Sequence, residues 1–172
     1  MTPTIRVLSR WGRSARLAGV ACAAVLWVRA ADRGAWDFTL PTLAGDRFVR
    51  ASRLAGPVLV NFWGSQCPPC IEELPRLQAF AGDHRNWTVL LVCTDPPQEA
   101  RVFLDRHHIT LIALRAGTNV IGLLRAAGDA RGALPFTVLL QDGRVVRTYQ
   151  GALSTGDLAG LAGPEKTGKP PP

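Results

Sequence analysis

Two cysteines separated by two prolines, Cys67-Pro68-Pro69-Cys70, carry the most pointed chemistry in this 172-residue chain. Proline suits the first positions of a helix, where its missing N–H is no loss, so the pair predicts that a helix begins at Cys67. Free N–H groups and the partial positive charge at a helix N-terminus favour an anion, which makes a Cys67 thiolate easier to form. Cys70, three residues on and nearly one turn away, lies within disulfide range. An accessible low-pKa thiol beside a second thiol suits thiol–disulfide exchange: Cys67 attacks, a mixed disulfide forms, and Cys70 resolves it.

Other uses of the pair are weaker. Half of a zinc site needs two further ligands, and His84, His107 and His108 do not have the spacing to supply them. A purely structural disulfide closing so small a loop contributes little through chain entropy.

The elements around the pair are readable. Val58-Leu59-Val60-Asn61-Phe62-Trp63 is apolar apart from Asn61 and reads as a strand buried on both faces, broken by Gly64 and Ser65. A helix is expected from about Pro68 to Ala81, with Pro75 inside it. Trp87–Cys93 reads as a second buried strand, Gln98–His108 as a helix, Leu111–Leu114 as a brief strand and Val120–Ala127 as a helix ending at Gly128. Phe136–Leu140 and Val145–Tyr149 flank Asp142-Gly143 as a hairpin, and Ser154 with Asp157 caps a last helix to about Leu161. Upstream, Asp37–Leu40 and Arg47–Val49 form a shorter hairpin around Gly45-Asp46. Helices alternating with strands, then a hairpin and a helix, predict an α/β sandwich around a mixed sheet.

Charge and composition bound the remainder. The chain has 20 basic and 13 acidic side chains, a net +7, but Arg6, Arg10, Arg13, Arg16 and Arg29 crowd residues 1–30, which hold no acid. Without those five, 15 basic groups face 13 acidic ones, and a net +2 does not support a nucleic-acid partner. Residues 1–30 read as a signal peptide or membrane anchor: a basic start, an apolar run from Leu17 to Val28, and Val28-Arg29-Ala30 before a cut. The run is short for a membrane span. The domain is therefore expected over 31–162, outside the cytoplasm where disulfides persist, with contact to the membrane only through the N-terminal segment. Residues 163–172, rich in Pro, Gly and Lys, are expected to be a disordered tail.

Taken together, Asn61-Phe-Trp-Gly-Ser-Gln-Cys-Pro-Pro-Cys70 with Glu73 and Pro75 resembles the active-site segment of the thioredoxin superfamily. More narrowly it is similar to the extracytoplasmic thiol–disulfide oxidoreductases of the TlpA/ResA/CcmG group, with the likeness running from about Trp36 to Leu161. The resemblance implies a thioredoxin-like three-layer α/β/α sandwich with an N-terminal β-hairpin, and a helix that continues past Pro75. It implies that Pro135 is cis and lies against the CxxC, freeing the backbone of Leu134 to pair with an extended client segment. Without it, Pro135 would read as an ordinary trans proline opening a strand.

Glu73 is the third candidate catalytic residue beside Cys67 and Cys70. Three residues past Cys70 on the same helix face, it could exchange a proton with that thiol if partly desolvated, or it could be a solvated surface acid. The group associates a glutamate here with the active site. Thioredoxin has a buried aspartate where Asn61 stands, and Asn cannot titrate. Trp63 and Gln66, which border the motif, join Leu134 and Pro135 as candidate substrate-binding residues. Gln66 replaces the group's usual Trp and makes that surface more polar. Cys93 reads as a small core residue.

The expected function is a protein-disulfide reductase with no cofactor beyond the redox-active Cys67–Cys70 disulfide, and with no metal. Its partners would be a client with a disulfide or thiol pair, such as an apocytochrome c or a copper-site assembly protein, and an upstream membrane electron donor. A thiol peroxidase of the redoxin class is one alternative, although Gly64 stands where peroxiredoxins use a Thr. A non-catalytic metal-carrying module is the other.

Overall fold

The computed structural model describes Trp36 to Gly163; the leader expected over 1–30 and, past Gly163, the tail expected over 163–172 lie outside the described residues. Strand β3 (Val58–Trp63) runs through the middle, and all six of its residues are buried. The β-branched and aromatic side chains along it suit a strand covered on both sides. Two hairpin strands precede it, β1 (Thr39–Pro41) and β2 (Phe48–Arg50), paired antiparallel.

After β3 come helix α1 (Pro68–Asp83), strand β4 (Thr88–Cys93), helix α2 (Pro97–Arg106), strand β5 (Ile112–Arg115) and helix α3 (Val120–Ala127). The chain closes with β6 (Phe136–Gln141), β7 (Arg144–Gln150) and α4 (Thr155–Ala162). The five-stranded sheet has the order β5-β4-β3-β6-β7. β3 pairs parallel with β4 and antiparallel with β6, so the sheet is mixed, and the helices α1 and α2 are the crossovers that parallel pairing requires.

Alternation along β3 builds the layers. Val58, Val60 and Phe62 face a core completed by Trp36, Phe38, Leu124 and Phe136. Leu59 and Trp63 face the other, with Leu74, Leu77 and Phe80 of α1, Leu104 of α2 and Leu158 of α4. Each fully buried large apolar side chain contributes about 1.5–3 kcal/mol, which makes β3, buried from end to end, a rigid base. This is the expected thioredoxin-like α/β/α sandwich with its N-terminal hairpin.

Element ends differ locally. α1 runs through Pro75 to Asp83, past the expected Ala81, because Phe80 still buries there and accepts the His84 N–H at 2.9 Å. α2 stops at Arg106, short of the expected His108. His108 takes a left-handed φ of 55°, and the Ile109 N–H turns back to Leu104 O at 2.9 Å. α3 ends on Gly128 (φ 106°), as the sequence indicates. The β6–β7 turn puts Asp142 and Gly143 at φ 52° and 72°, the twist that a two-residue hairpin turn needs.

Candidate active site

The site begins where β3 runs out. Gly64 is buried under the loop that follows β4: a Cβ there would stand 3.2 Å from Thr94 Oγ1 and 3.3 Å from Asp95 Oδ1, so any side chain would press on both. The Ser65 N–H donates to the Asp95 carboxylate, and both the N–H and the hydroxyl of Thr94 donate to Trp63 O. Thr94 and Asp95 therefore lace the segment that delivers Cys67, a role the sequence reading missed. The signal was available: β3 and β4 are adjacent parallel strands, so the loops leaving their C-terminal ends must meet.

Cys67 is the N-cap of α1 and is half-buried, while Cys70 is completely buried. The two form a disulfide with Cα atoms 5.2 Å apart. Pro68 and Pro69 fill the first two helical positions, and the first available amide, Cys70 N–H, donates to Cys67 Sγ at 3.3 Å. One sulfur thus sits at the molecule's edge with a helix terminus behind it, and the other lies beneath it.

The Leu134–Pro135 bond is cis. Leu134 packs into the same apolar cluster as Cys67 and Cys70, and its Cδ1 lies 3.6 Å from the Cβ position at Gly64, so this loop meets the CxxC approach. Pro135 is buried and its carbonyl accepts the Gly151 N–H at 2.9 Å. Neither the N–H nor the C=O of Leu134 has a partner among the described residues. Of Leu134 and Pro135, Leu134 is the one left partly exposed.

Gln66 is exposed beside Cys67, at the edge of a recess of about 530 Å³ shared with Pro96, Glu99, Val102 and Arg106. Trp63, expected to touch a client, does not reach the surface. It is 0% exposed and tilts against Phe103 with centroids 5.4 Å apart, because odd positions of β3 point under α1 and α2.

Glu73 resolves to the buried alternative, at 0% exposure, while its neighbour Glu72 is solvated. Asn61 Nδ2 donates to Glu73 Oε1 at 2.6 Å and to Thr137 Oγ1 at 2.9 Å. The Leu153 N–H donates to Glu73 Oε2 at 2.8 Å. Burial raises the Glu73 pKa above its ordinary value, opposed by the Leu153 and Asn61 donors and by the charge of Arg76. The node joins β3, α1, β6 and the start of α4. Thr137 and Leu153 were not legible as members of it, since both join only through the tertiary fold.

Cys93 is 1% exposed beside Trp63 in the β3–β4 register. Burial pushes its thiol up to about 12, the Asp95 carboxylate adding to the shift and the Asp95 N–H opposing it. It is inert as a nucleophile.

Comparison with known proteins agrees with this geometry. The chain is 29% identical over 131 residues to thiol-disulfide oxidoreductase ResA of Halalkalibacterium halodurans, covering 72% of this chain and 70% of that one. A solution structure of a putative thioredoxin from Neisseria meningitidis is 28% identical, covering 73% of this chain and 85% of the other with a TM-score of 0.62. StoA from Bacillus subtilis, at 20% identity, shares the fold with a TM-score of 0.63 over 76% of this chain and 98% of its own. The AhpC/TSA family model matches residues 31–163. By that match this chain belongs to the AhpC/TSA family, within the thioredoxin superfamily.

Proposed function

We propose that this protein is a thiol–disulfide oxidoreductase that reduces disulfides in client proteins outside the cytoplasm. The observation that carries the reading is the pairing of a half-buried N-cap sulfur, Cys67, with a fully buried one, Cys70. In the dithiol form, the Cys67 thiolate attacks one sulfur of a client disulfide. A Cys67–client bond forms and the other client sulfur leaves as thiolate. The Cys70 thiolate then attacks Cys67 Sγ, releasing the second client thiolate and restoring the Cys67–Cys70 disulfide. The client leaves two electrons richer, and a dithiol donor at the membrane returns the pair to its reduced form. No cofactor beyond the disulfide is needed. Leu134 offers its unpaired backbone groups to the client, and Glu73, a buried acid one turn from Cys70, exchanges a proton with that thiol as it resolves the intermediate.

The direction rests on the prolines. With Pro68 and Pro69 at the first two helical positions, Cys70 alone donates an N–H to Cys67 Sγ, so the thiolate is less stabilised than in a strong oxidant. A potential near the thioredoxin value of about −270 mV is expected, and one near the DsbA value of about −120 mV would overturn the reductase assignment. The arginine-rich, acid-free leader supports export. The candidate client is an apocytochrome c or a copper-site assembly protein. A Cys70→Ser variant, unable to resolve, is expected to stall on its client as a mixed disulfide, which mass spectrometry would identify.

Membership of the AhpC/TSA family supports one second reading, a thiol peroxidase. Hydrogen peroxide turnover with a thiol donor would establish it. Against it, the position three residues before Cys67 is Gly64, where a side chain would crowd Thr94 and Asp95.

A further inference from the structure

The loop that presents Leu134 is held both from within and from a neighbouring strand. At its start Asp129, 3% exposed, accepts the N–H groups of Arg131 and Gly132 at 2.9 and 3.0 Å. At its end Gln150 of β7 turns its side-chain amide onto the loop. Gln150 Nε2 donates to Ala133 O at 2.7 Å and to Pro135 O at 3.3 Å. An amide NH₂ carries two hydrogens, one for each carbonyl.

Those two carbonyls flank Leu134. Ala133 O shares a peptide plane with the Leu134 N–H, and in a planar trans unit the N–H points opposite to the C=O. Fixing Ala133 O on one side therefore aims the Leu134 N–H to the other. Pro135 O, which also accepts the Gly151 N–H at 2.9 Å, fixes the peptide plane after the cis bond, so the Leu134–Pro135 unit is gripped at both ends, with Gln150 the main hold on the Ala133 side. Gln150 is exposed, and no core packing holds its long side chain in place. It could satisfy its amide with water, yet it lies across two carbonyls of a neighbouring loop.

We propose that Gln150 is a positioning residue for polypeptide clients: it orients the backbone groups of Leu134 that receive an extended chain, and so biases exchange toward disulfides carried by polypeptides over small ones. The proposal rests on the thiol–disulfide exchange reading above. A small disulfide needs only the Cys67–Cys70 pair. A polypeptide also needs correctly aimed hydrogen-bonding groups beside it.

The test uses the reduced protein with two disulfide substrates, a synthetic extended peptide with one internal disulfide and 2-hydroxyethyl disulfide. Gln150→Leu and Gln150→Glu are close in size to glutamine and donate no hydrogen bond to the two carbonyls. Both are expected to raise KM for the peptide about fivefold, the loss of roughly one net hydrogen bond, with kcat little changed. Rates with 2-hydroxyethyl disulfide and the redox potential are expected to match wild type, which a general loosening of the domain would not allow. An unchanged peptide KM, or an equal loss with both substrates, would overturn the brace while leaving the exchange chemistry standing. Failure of wild type to reduce either substrate would bring down the exchange reading and the brace together.

Discussion

Cys67 and Glu73 stand less than two turns apart on α1 and meet opposite surroundings. Cys67 caps the helix where it projects beyond the end of β3, half-open to solvent, with Cys70 N–H behind its sulfur. Glu73 lies over the middle of the sheet with no exposure, its two oxygens taken by Asn61 and the Leu153 N–H. Helix ends and helix interiors supply different things. A terminus offers unpaired amides and access, which a nucleophile needs. An interior offers low polarity, which raises an acid's pKa, and fixed donors, which hold the acid in place while opposing that rise. The same contrast separates the sulfurs, since Cys93 shares the interior with Glu73 and its thiol is pushed up to about 12.

The largest test of this contrast is Glu73→Ala. It leaves the Leu153 N–H buried without its acceptor, takes from the Asn61 amide one of its two, and opens a cavity, so a loss of roughly 3 kcal/mol is expected in urea unfolding. A loss below about 1 kcal/mol would mean the node does not hold the core together.

Glu73→Gln sharpens the comparison through pH. The Glu73 pKa is raised on folding, so between its ordinary value of 4.5 and its raised value the native state binds more proton than the unfolded chain. Stability from this group is therefore greatest below that window and falls as pH rises through it. The wild type should lose stability relative to Glu73→Gln as pH climbs, and a difference independent of pH would show that Glu73 titrates normally.

A smaller effect separates the sulfurs. After reduction in the native state, iodoacetamide should label Cys67 fastest, while Cys93 stays unmodified until the protein unfolds. Labelling of Cys93 at a rate comparable to Cys67, followed by mass, would break the division between edge and interior. The smallest effect belongs to Ser154→Ala. Ser154 Oγ and the Asp157 carboxylate form a capping box beside the Leu153 amide that Glu73 holds. Removing it should lower Tm by a few degrees and leave exchange rates intact, because the cap is solvated and the carboxylate contact survives.

Local pattern alone specified a good part of this molecule. The buried strand Val58–Trp63, the helix start at Cys67, the Asp142-Gly143 turn, the Gly128 stop and the Ser154–Asp157 cap were all legible, since each depends on residues within a few positions of one another. The cis geometry at Pro135 was expected by resemblance, not by the local residues. Other features waited on the tertiary structure. Glu73 is buried because Asn61, 12 residues away, and Leu153, 80 residues away, converge on it. Trp63 turns inward because α1 and α2 cover that face. Asp95 reaches Ser65 across 30 residues, and Gln150 reaches Ala133 across 17. A sequence states which side chains can give or take a hydrogen bond. Which of them meet is decided by the packing of the sheet and its helices, because that packing sets the direction in which each side chain points.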